Sequence, residues 1–274
     1  MPPTIDREFL RSTQKCFEAL ELINLVGSMT AAEAVRLLEV PRTTAVRILQ
    51  TLVRLGYVAR NADKKYVLTP EVNRLTFGYR QTNPALPRLQ RILQEEARDY
   101  LWPMELALPH GTAMYTYIPT DELTPYKLVS TPAGTHLPYI GTAAGTVYLA
   151  YCTQAERAAL LRVAREDPKS LEISLDEVKA DIATAQAQGY FIKNVWRIGN
   201  RHKREMYKAQ TVIIVPIIVN GKIRGCLNSR VMTAAVTKAE ISKKIYPRLR
   251  DIAQRLADAW QDAVAERQLG VAAE

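Results

Sequence analysis

The chain has 274 residues, 47% of them hydrophobic and 24% charged, proportions that suit a globular protein of about two domains and exclude a disordered or collagen-like chain. Its longest apolar run, residues 212–219, is cut by Pro216, so no transmembrane helix is expected, and Asp6 and Glu8 leave no apolar core for a secretion signal. Cys16, Cys152 and Cys226 are few and far apart, which points to a reducing cytoplasm and away from structural zinc, while the formal charge of +9 suits a phosphate-bearing partner.

Ser12 or Thr13 is placed to cap a first helix over 14–26, whose apolar face carries Phe17, Leu20, Ile23 and Leu25. Thr30 opens a second helix over 30–40, and Glu33, three residues on, completes a capping box. Val40–Pro41 ends it, because proline disfavours helical geometry in the residue before it. A third helix follows over 42–56, with Val46, Leu49, Leu52, Val53 and Leu55 as the expected buried stripe and Gly56 as its stop. Residues 57–60 and 65–68 then alternate as two short strands around a polar tip, which reads as a wing.

A helix-turn-helix followed by a basic wing implies DNA. Arg42, Thr43, Thr44 and Arg47 crowd the first turns of the third helix, where a recognition helix meets base edges and phosphates. Arg60, Lys64 and Lys65 give the wing its positive charge, and between residues 41 and 65 Asp63 alone opposes the basic residues. The competing reading is a pair of core helices in an α/β enzyme. The wing and the charge both count against it.

Pro70 starts a helix expected over 70–80, and a longer amphipathic helix over 84–102 carries Leu86, Leu89, Leu93, Ala97 and Leu101 on one side. From Trp102 the pattern becomes mixed. Strands are expected at 104–110, 113–119 and 126–132, and a small-residue loop from Gly141 runs into a helix ending near Cys152. Two further helices follow, 153–166 with Thr153 and Glu156 at capping-box spacing, and 174–190 ended by Gly189. Strands at 210–220 and 223–232 form a hairpin around Gly221-Lys222, and a terminal helix over 237–264 should kink at Pro247. The expected fold is α+β: a winged helix-turn-helix over 1–70, a helical linker over 71–101, a GAF- or PAS-like antiparallel-sheet domain over 102–264 and a tail over 265–274.

These segments resemble the IclR family of bacterial transcription regulators along nearly the whole chain. VPRTTAVRILQTLVRLGYV (40–58) is similar to the family's recognition helix and wing entry. LPYIGTAAGTVYLAY (137–151), GYFIKN (189–194) and VPIIVNGKIRGCLNSRV (215–231) are similar, in order, to segments of its ligand domain. LWP (101–103) and the pairing of IVP (214–216) with GCLN (225–228) most resemble the phenylpropionate-type regulators of aromatic-acid catabolism. The resemblance implies a dimer or dimer of dimers on operator DNA and a small organic acid effector, and with three scattered cysteines and three histidines no cofactor and no bound metal are expected.

Two places could receive an acid. Thr142, Ala143, Ala144 and Gly145 open a helix with small side chains, and in the family a similar segment cradles a ligand carboxylate through its backbone amides; the alternative is a plain tight helix start. On the strand 226–231, period two puts Cys226, Asn228 and Arg230 on one face and Leu227, Ser229 and Val231 on the other. The family pattern has small hydroxyls at the positions aligned with Asn228 and Arg230. The guanidinium here favours an anion gripped as a fork, unless Arg230 is a surface charge and Ser229 the inward residue. Trp102, Met104, Tyr115, His136, Tyr139 and Trp196 are candidate walls, with Trp102, Tyr115 and Tyr139 expected against an aromatic effector. Asn194, Arg197 and His202 border a basic loop that is either a lid or simply solvated. Small aliphatic acids remain the alternative effectors. No catalytic elbow, phosphate loop or zinc-protease motif supports an enzyme.

Overall fold

The computed structural model describes residues 10–75, 83–126, 128, 131–165, 172–194 and 210–271. The chain divides into two compact units, Met1–Asn83 and Pro84–Glu274.

The first unit holds α1 (Arg11–Val26), α2 (Ala31–Leu38), α3 (Arg42–Arg54) and a hairpin of β1 (Val58–Arg60) and β2 (Tyr66–Leu68). Helix α1 starts early, at a Leu10 N-cap with no side-chain hydrogen bond, so neither Ser12 nor Thr13 caps it. The capping box of α2 is complete: the Glu33 amide donates to the Thr30 hydroxyl at 3.2 Å and the Thr30 amide donates to the Glu33 carboxylate at 2.8 Å. Glu39 takes left-handed geometry (φ 54°) to end α2, and Pro41 becomes the N-cap of α3. Met29 forms an isolated antiparallel bridge to Tyr66, on the free side of the hairpin.

The buried stripe of α3 is Ala45, Ile48, Leu49 and Leu52, while Val53 and Leu55 are exposed. Both candidate stripes have helical spacing; the one packed on Ile23, Met29, Leu38 and Val58 fills the core. After β2, Pro70–Asn73 forms a 3₁₀ turn where a regular helix was expected, and residues 76–80 of that expectation lie outside the described ones.

The second unit opens with α4 (Leu86–Glu96), shorter than the helix expected over 84–102. Six strands follow: β3 (Met104–His110), β4 (Ala113–Pro119), β5 (His136–Pro138), β6 (Phe191–Asn194), β7 (Gln210–Val219) and β8 (Lys222–Met232). They form one sheet in the order β5-β4-β3-β8-β7-β6, antiparallel at every pairing. The third strand is displaced from expectation. The described residues of 126–132 carry no strand, and pairing resumes after Pro132, which has no N–H to give, at the turn through Gly134 (φ 86°). Strand β6 is too short for its periodicity to announce it.

Helices α5 (Ala143–Tyr151), α6 (Gln154–Ala164), α7 (Leu175–Gln188) and α8 (Tyr246–Val271) accompany the sheet among the described residues. Helices α4 and α8 cover one sheet face, where Leu89, Leu93, Leu249, Ile252 and Leu256 meet Met104, Leu106, Ile213 and Leu227. Glu96 of α4 is buried and ion-paired to both Arg248 (2.5 Å) and Arg255 of α8. Helices α5 and α7 cover the other face, with Val147, Leu149 and Ile182 over Ala107, Met114, Ile214 and Cys226.

Local corrections have local causes. The β7–β8 turn is Asn220-Gly221, both at positive φ (51° and 72°), and Lys222 already pairs with Val219. Thr153 accepts from the Glu156 amide, but the Glu156 carboxylate accepts from Tyr148 at 2.7 Å, so that capping box is only half made. The terminal helix is preceded by a further capping box, Thr237 with Glu240, and then by a widened turn at Ile241–Ile245 in which the Tyr246 amide reaches the Ile241 carbonyl. Pro247 has no N–H for the ordinary helical bond, and the wide turn lies immediately before it. Among the described residues no helix is long and apolar enough to cross a membrane.

Removing the cap of α2 should be measurable. Thr30→Ala is expected to cost about 1 kcal/mol of stability in urea unfolding at neutral pH. The Thr30 amide and hydroxyl hold the Glu33 carboxyl below its usual range. This contribution is therefore present above the ordinary carboxylate range and is lost as pH falls through the lowered value. The difference between wild type and Thr30→Ala should shrink in acid; a constant difference would separate the cap from Glu33.

Candidate functional site

On α3 the burial of Ala45, Ile48, Leu49 and Leu52 leaves Thr43, Arg47, Gln50 and Arg54 exposed at successive spacings of four, three and four residues. They form one outward stripe, with Arg42 and Thr44 exposed beside its start. Four of the expected DNA-contacting residues, Arg42, Thr43, Thr44 and Arg47, therefore sit together at one helix end, where unpaired backbone amides also favour phosphate. Gln50 and Arg54 extend the surface. Their helical offset from Arg47 was the available signal, and Gln50 is a type that reads adenine.

The wing is built on Asn61. Its side-chain carbonyl accepts from the Lys65 amide at 2.9 Å, and its backbone exchanges hydrogen bonds with Lys64 and Lys65. Lys64 takes left-handed geometry (φ 59°) at the tip and is exposed, while Lys65 is half-buried. Arg60 donates Nε to the Lys64 carbonyl at 3.1 Å, and its guanidinium lies 5.8 Å from the Tyr66 ring centre. The wing thus presents a tethered arginine and an outward lysine.

In the second unit, β8 keeps the alternation read from its sequence. Cys226 packs on the α5 side and donates its thiol to the Ala144 carbonyl at 3.7 Å, whereas Leu227 and Val231 pack on the α8 side. Ser229, on the α8 side, hydrogen-bonds Tyr100 at 2.7 Å. Arg230 is only 3% exposed, which removes the reading of it as a surface charge. Its Nη2 meets Asp121 Oδ2 at 2.6 Å, and its Nε lies 3.8 Å from Glu105 Oε2. Asn228 faces Glu105 across the β3–β8 pairing and donates to its Oε1 at 2.5 Å. Burial pushes the Glu105 carboxyl above its usual range, against the pull of Arg230 and Asn228. Glu105 Oε2, Asn228 Oδ1 and Thr116 Oγ1 are sealed from solvent without a hydrogen-bond partner.

Helix α5 covers the same sheet face, its first turn meeting Cys226 two residues before Asn228. Thr142 caps it, accepting from the Gly145 amide at 3.0 Å and donating to the Pro138 carbonyl at 2.6 Å. A Cβ on Gly145 would lie 2.2 Å from the Tyr139 carbonyl oxygen, so the small residues of this motif serve a close backbone approach as well. Ala143, Ala144 and Tyr139 are buried on the same side, with the Tyr139 ring 5.5 Å from that of Tyr148.

The other expected walls are elsewhere. Trp102 packs on the α8 side and stacks with Tyr126 at 4.4 Å. Tyr115 pairs with Leu108, also of the α8 side, and its ring lies between His110 and His136 at 5.9 and 5.2 Å. Strand alternation separates these two from Asn228 and Arg230; Met104 too points to α8. Trp196, Arg197 and His202 lie outside the described residues, and Asn194 is an exposed end residue of β6 that accepts from Thr211. Glu105 and Asp121 are the members of the cluster that sequence reasoning missed, although a lone acid inside the apolar run MELAL was a legible signal. Among the described residues no group of His, Cys, Asp and Glu could hold a metal ion.

Residues 12–62 match the IclR helix-turn-helix domain. The chain carries an IclR-type helix-turn-helix domain. It is 26% identical over 250 residues to the Pca regulon regulatory protein of Pseudomonas putida, covering 83% of this chain and 77% of that protein. The fold is similar to an IclR-type transcriptional regulator from Alicyclobacillus acidocaldarius, with TM-score 0.61, 19% identity and coverage of 92% and 99% of the two chains. It is likewise similar to an IclR homologue from Microbacterium hydrocarbonoxydans complexed with 4-hydroxybenzoate, with TM-score 0.58, 20% identity and coverage of 92% and 99%. The first unit thus holds the DNA-binding domain of a transcription regulator, and the chain as a whole shares the fold of these regulators. The reading of these helices as a core pair of an α/β enzyme falls with that finding.

Arg47→Ala should cost about 1–3 kcal/mol of operator affinity and relax specificity at one base position. Lys64→Ala should instead weaken all sequences alike and reduce the salt slope by about 1. Titrations against operator and scrambled DNA at several salt concentrations separate the two; an Arg47→Ala protein with unchanged affinity and specificity would misplace the recognition helix.

Proposed function

We propose that this IclR-family regulator binds operator DNA as a homodimer or dimer of dimers and senses a small aromatic carboxylate in residues 102–264, to control aromatic catabolism. In this reading residues 1–70 bind DNA and 71–101 connect the two functions. The observation that carries it is the buried polar cluster of Glu105, Asn228, Arg230 and Asp121 on the sheet face that α5 covers, in a chain whose first unit binds DNA. Ligand sites are mostly apolar with a few convergent polar groups, and here Tyr139, Ala143 and Ala144 supply the apolar side. The amides that open α5 suit the effector's carboxylate, since Arg230 is already engaged by two acids. Trp102 and Tyr115 drop out of the proposed lining. Support for an aromatic ligand comes from the similar regulator complexed with 4-hydroxybenzoate and from the Pca regulon relative.

Binding of a labelled DNA fragment from the chain's own upstream region, with and without aromatic and aliphatic acids, tests this reading. An aromatic acid should shift the midpoint by about fivefold or more, the usual size of a coupling between sites. A ligand acts only through its differential affinity for two states. A response to aliphatic acids alone would move the assignment to that class.

A groove of about 550 Å³ between α1 and α3 supports the dimer: Cys16, Phe17, Leu20 and Leu55 line it, and Phe17, Leu55 and Leu75 are each more than half exposed. A single winged helix reads too few base pairs for high specificity, and a two-fold dimer reads a palindrome. Sedimentation should give a dimer or tetramer, and Phe17→Glu should shift it toward monomer. A wild type that is monomeric at micromolar concentration and on operator DNA would refute the assembly.

A further inference from the structure

The polar cluster on the sheet face that α5 covers is balanced against anions and incompletely hydrogen-bonded. Arg230 is held by Asp121 at 2.6 Å and faces Glu105 at 3.8 Å, so a ligand carboxylate aimed at it meets two acids competing for one guanidinium. Thr131 and Asn228 both hydrogen-bond Glu105, yet several oxygens of the cluster keep no partner. Glu105 Oε2, Asn228 Oδ1 and Thr116 Oγ1 are buried without a hydrogen-bond partner, in residues that are 4%, 3% and 1% exposed. They also share one sheet face. Glu105 pairs with Asn228 across β3 and β8, and Thr116 of β4 pairs with Ala107, two residues along β3 from Glu105. A buried acceptor left without a donor destabilises the free protein, and a ligand that supplies the donor recovers that loss.

We propose that the effector presents a neutral hydroxyl to Glu105, Asn228 and Thr116, and that these residues rather than Arg230 set its identity. The inference rests on the effector reading above. A hydroxyl donates one hydrogen bond and accepts others, so it satisfies Asn228 Oδ1 while meeting Glu105 in either protonation state. An ammonium has donors only and requires an ionised Glu105, which burial disfavours. Arg230 then acts as a positioning residue, holding Glu105 and Asp121 in place from the adjacent strand on the same sheet face. This explains why a guanidinium stands in the cluster without being available to grip an acid.

The test is calorimetry on the full chain with benzoate, 3-hydroxybenzoate, 4-hydroxybenzoate and the corresponding aminomethyl benzoates. One hydroxybenzoate should bind at least about tenfold more tightly than benzoate, a conservative figure for a hydroxyl received by a buried polar site. Asn228→Leu should collapse that ratio toward unity. If Asn228→Leu does not fold, Thr116→Val and the wild-type ratios still decide. Equal binding of benzoate and both hydroxybenzoates overturns the proposal while leaving an aromatic-acid sensor intact. Tighter binding of an aminomethyl compound overturns it in favour of a cationic donor. If no aromatic acid binds, lactate is compared with propionate. A hydroxyl preference there, lost in Asn228→Leu, keeps the hydroxyl assignment and removes the aromatic one; no preference in either series overturns the assignment.

Discussion

The antiparallel pairing of β3 with β8 is the constraint on which the second unit depends. It sets Met104 opposite Ser229, Glu105 opposite Asn228, Leu106 opposite Leu227 and Ala107 opposite Cys226. Each pair shares a face, so the strands sort their side chains into an apolar layer under α4 and α8 and a mixed layer under α5. A slip of one residue would carry either Glu105 or Arg230, whichever strand moved, into the apolar layer. Leaving such charges without their partners costs several kcal/mol, far more than a lost apolar contact. The ion cluster therefore needs this register, and it also penalises every alternative to it.

The two units use positive charge in opposite ways. On α3 and the wing, arginine and lysine stay in water, where they retain long-range attraction for phosphate and little is gained from fixed partners. Arg60 is the intermediate case, tied to the Lys64 carbonyl and the Tyr66 ring while remaining exposed. Arg230 and the pair Arg248 and Arg255 are committed to buried carboxylates instead. In those places the charge fixes geometry, because either partner alone would be stranded in a medium that solvates it poorly.

The first unit was legible because its boundaries are local chemistry. Thr30 and Glu33 mark a helix start, Pro41 marks a break, and the basic residues follow within one short stretch. The phase of α3 was less legible, since Ala45 and Ile48 compete with Val46, Val53 and Leu55 for the buried side and only the partner surface decides. In the second unit the alternation of β8 could be read, but the sheet face taken by Trp102 and Tyr115 could not. That depends on which strand pairs with which. The partners of Asn228 and Arg230 lie 123 and 109 residues away in sequence, beyond the reach of any periodicity. Strand β5 escaped because Pro132 and Gly134 displace the pairing past the stretch with the stronger β pattern.

The widened turn at Ile241–Ile245 makes the length of this segment a structural parameter in its own right. The buried positions Ile241, Ile245, Leu249, Ile252 and Leu256 run along one side of the chain through that turn and into α8. An ordinary helix advances about 100° per residue, which follows from its 3.6 residues per turn. The wide turn takes up one residue more than an ordinary turn, so a deletion inside it leaves the phase beyond unchanged, whereas deleting Tyr246 just after it would rotate everything that follows by that angle. Leu249, Ile252 and Leu256 would swing off the sheet, and Arg248 and Arg255 would turn away from Glu96. Rotational phase is thus stored in a residue count, and a change in that count is not equivalent to any single substitution.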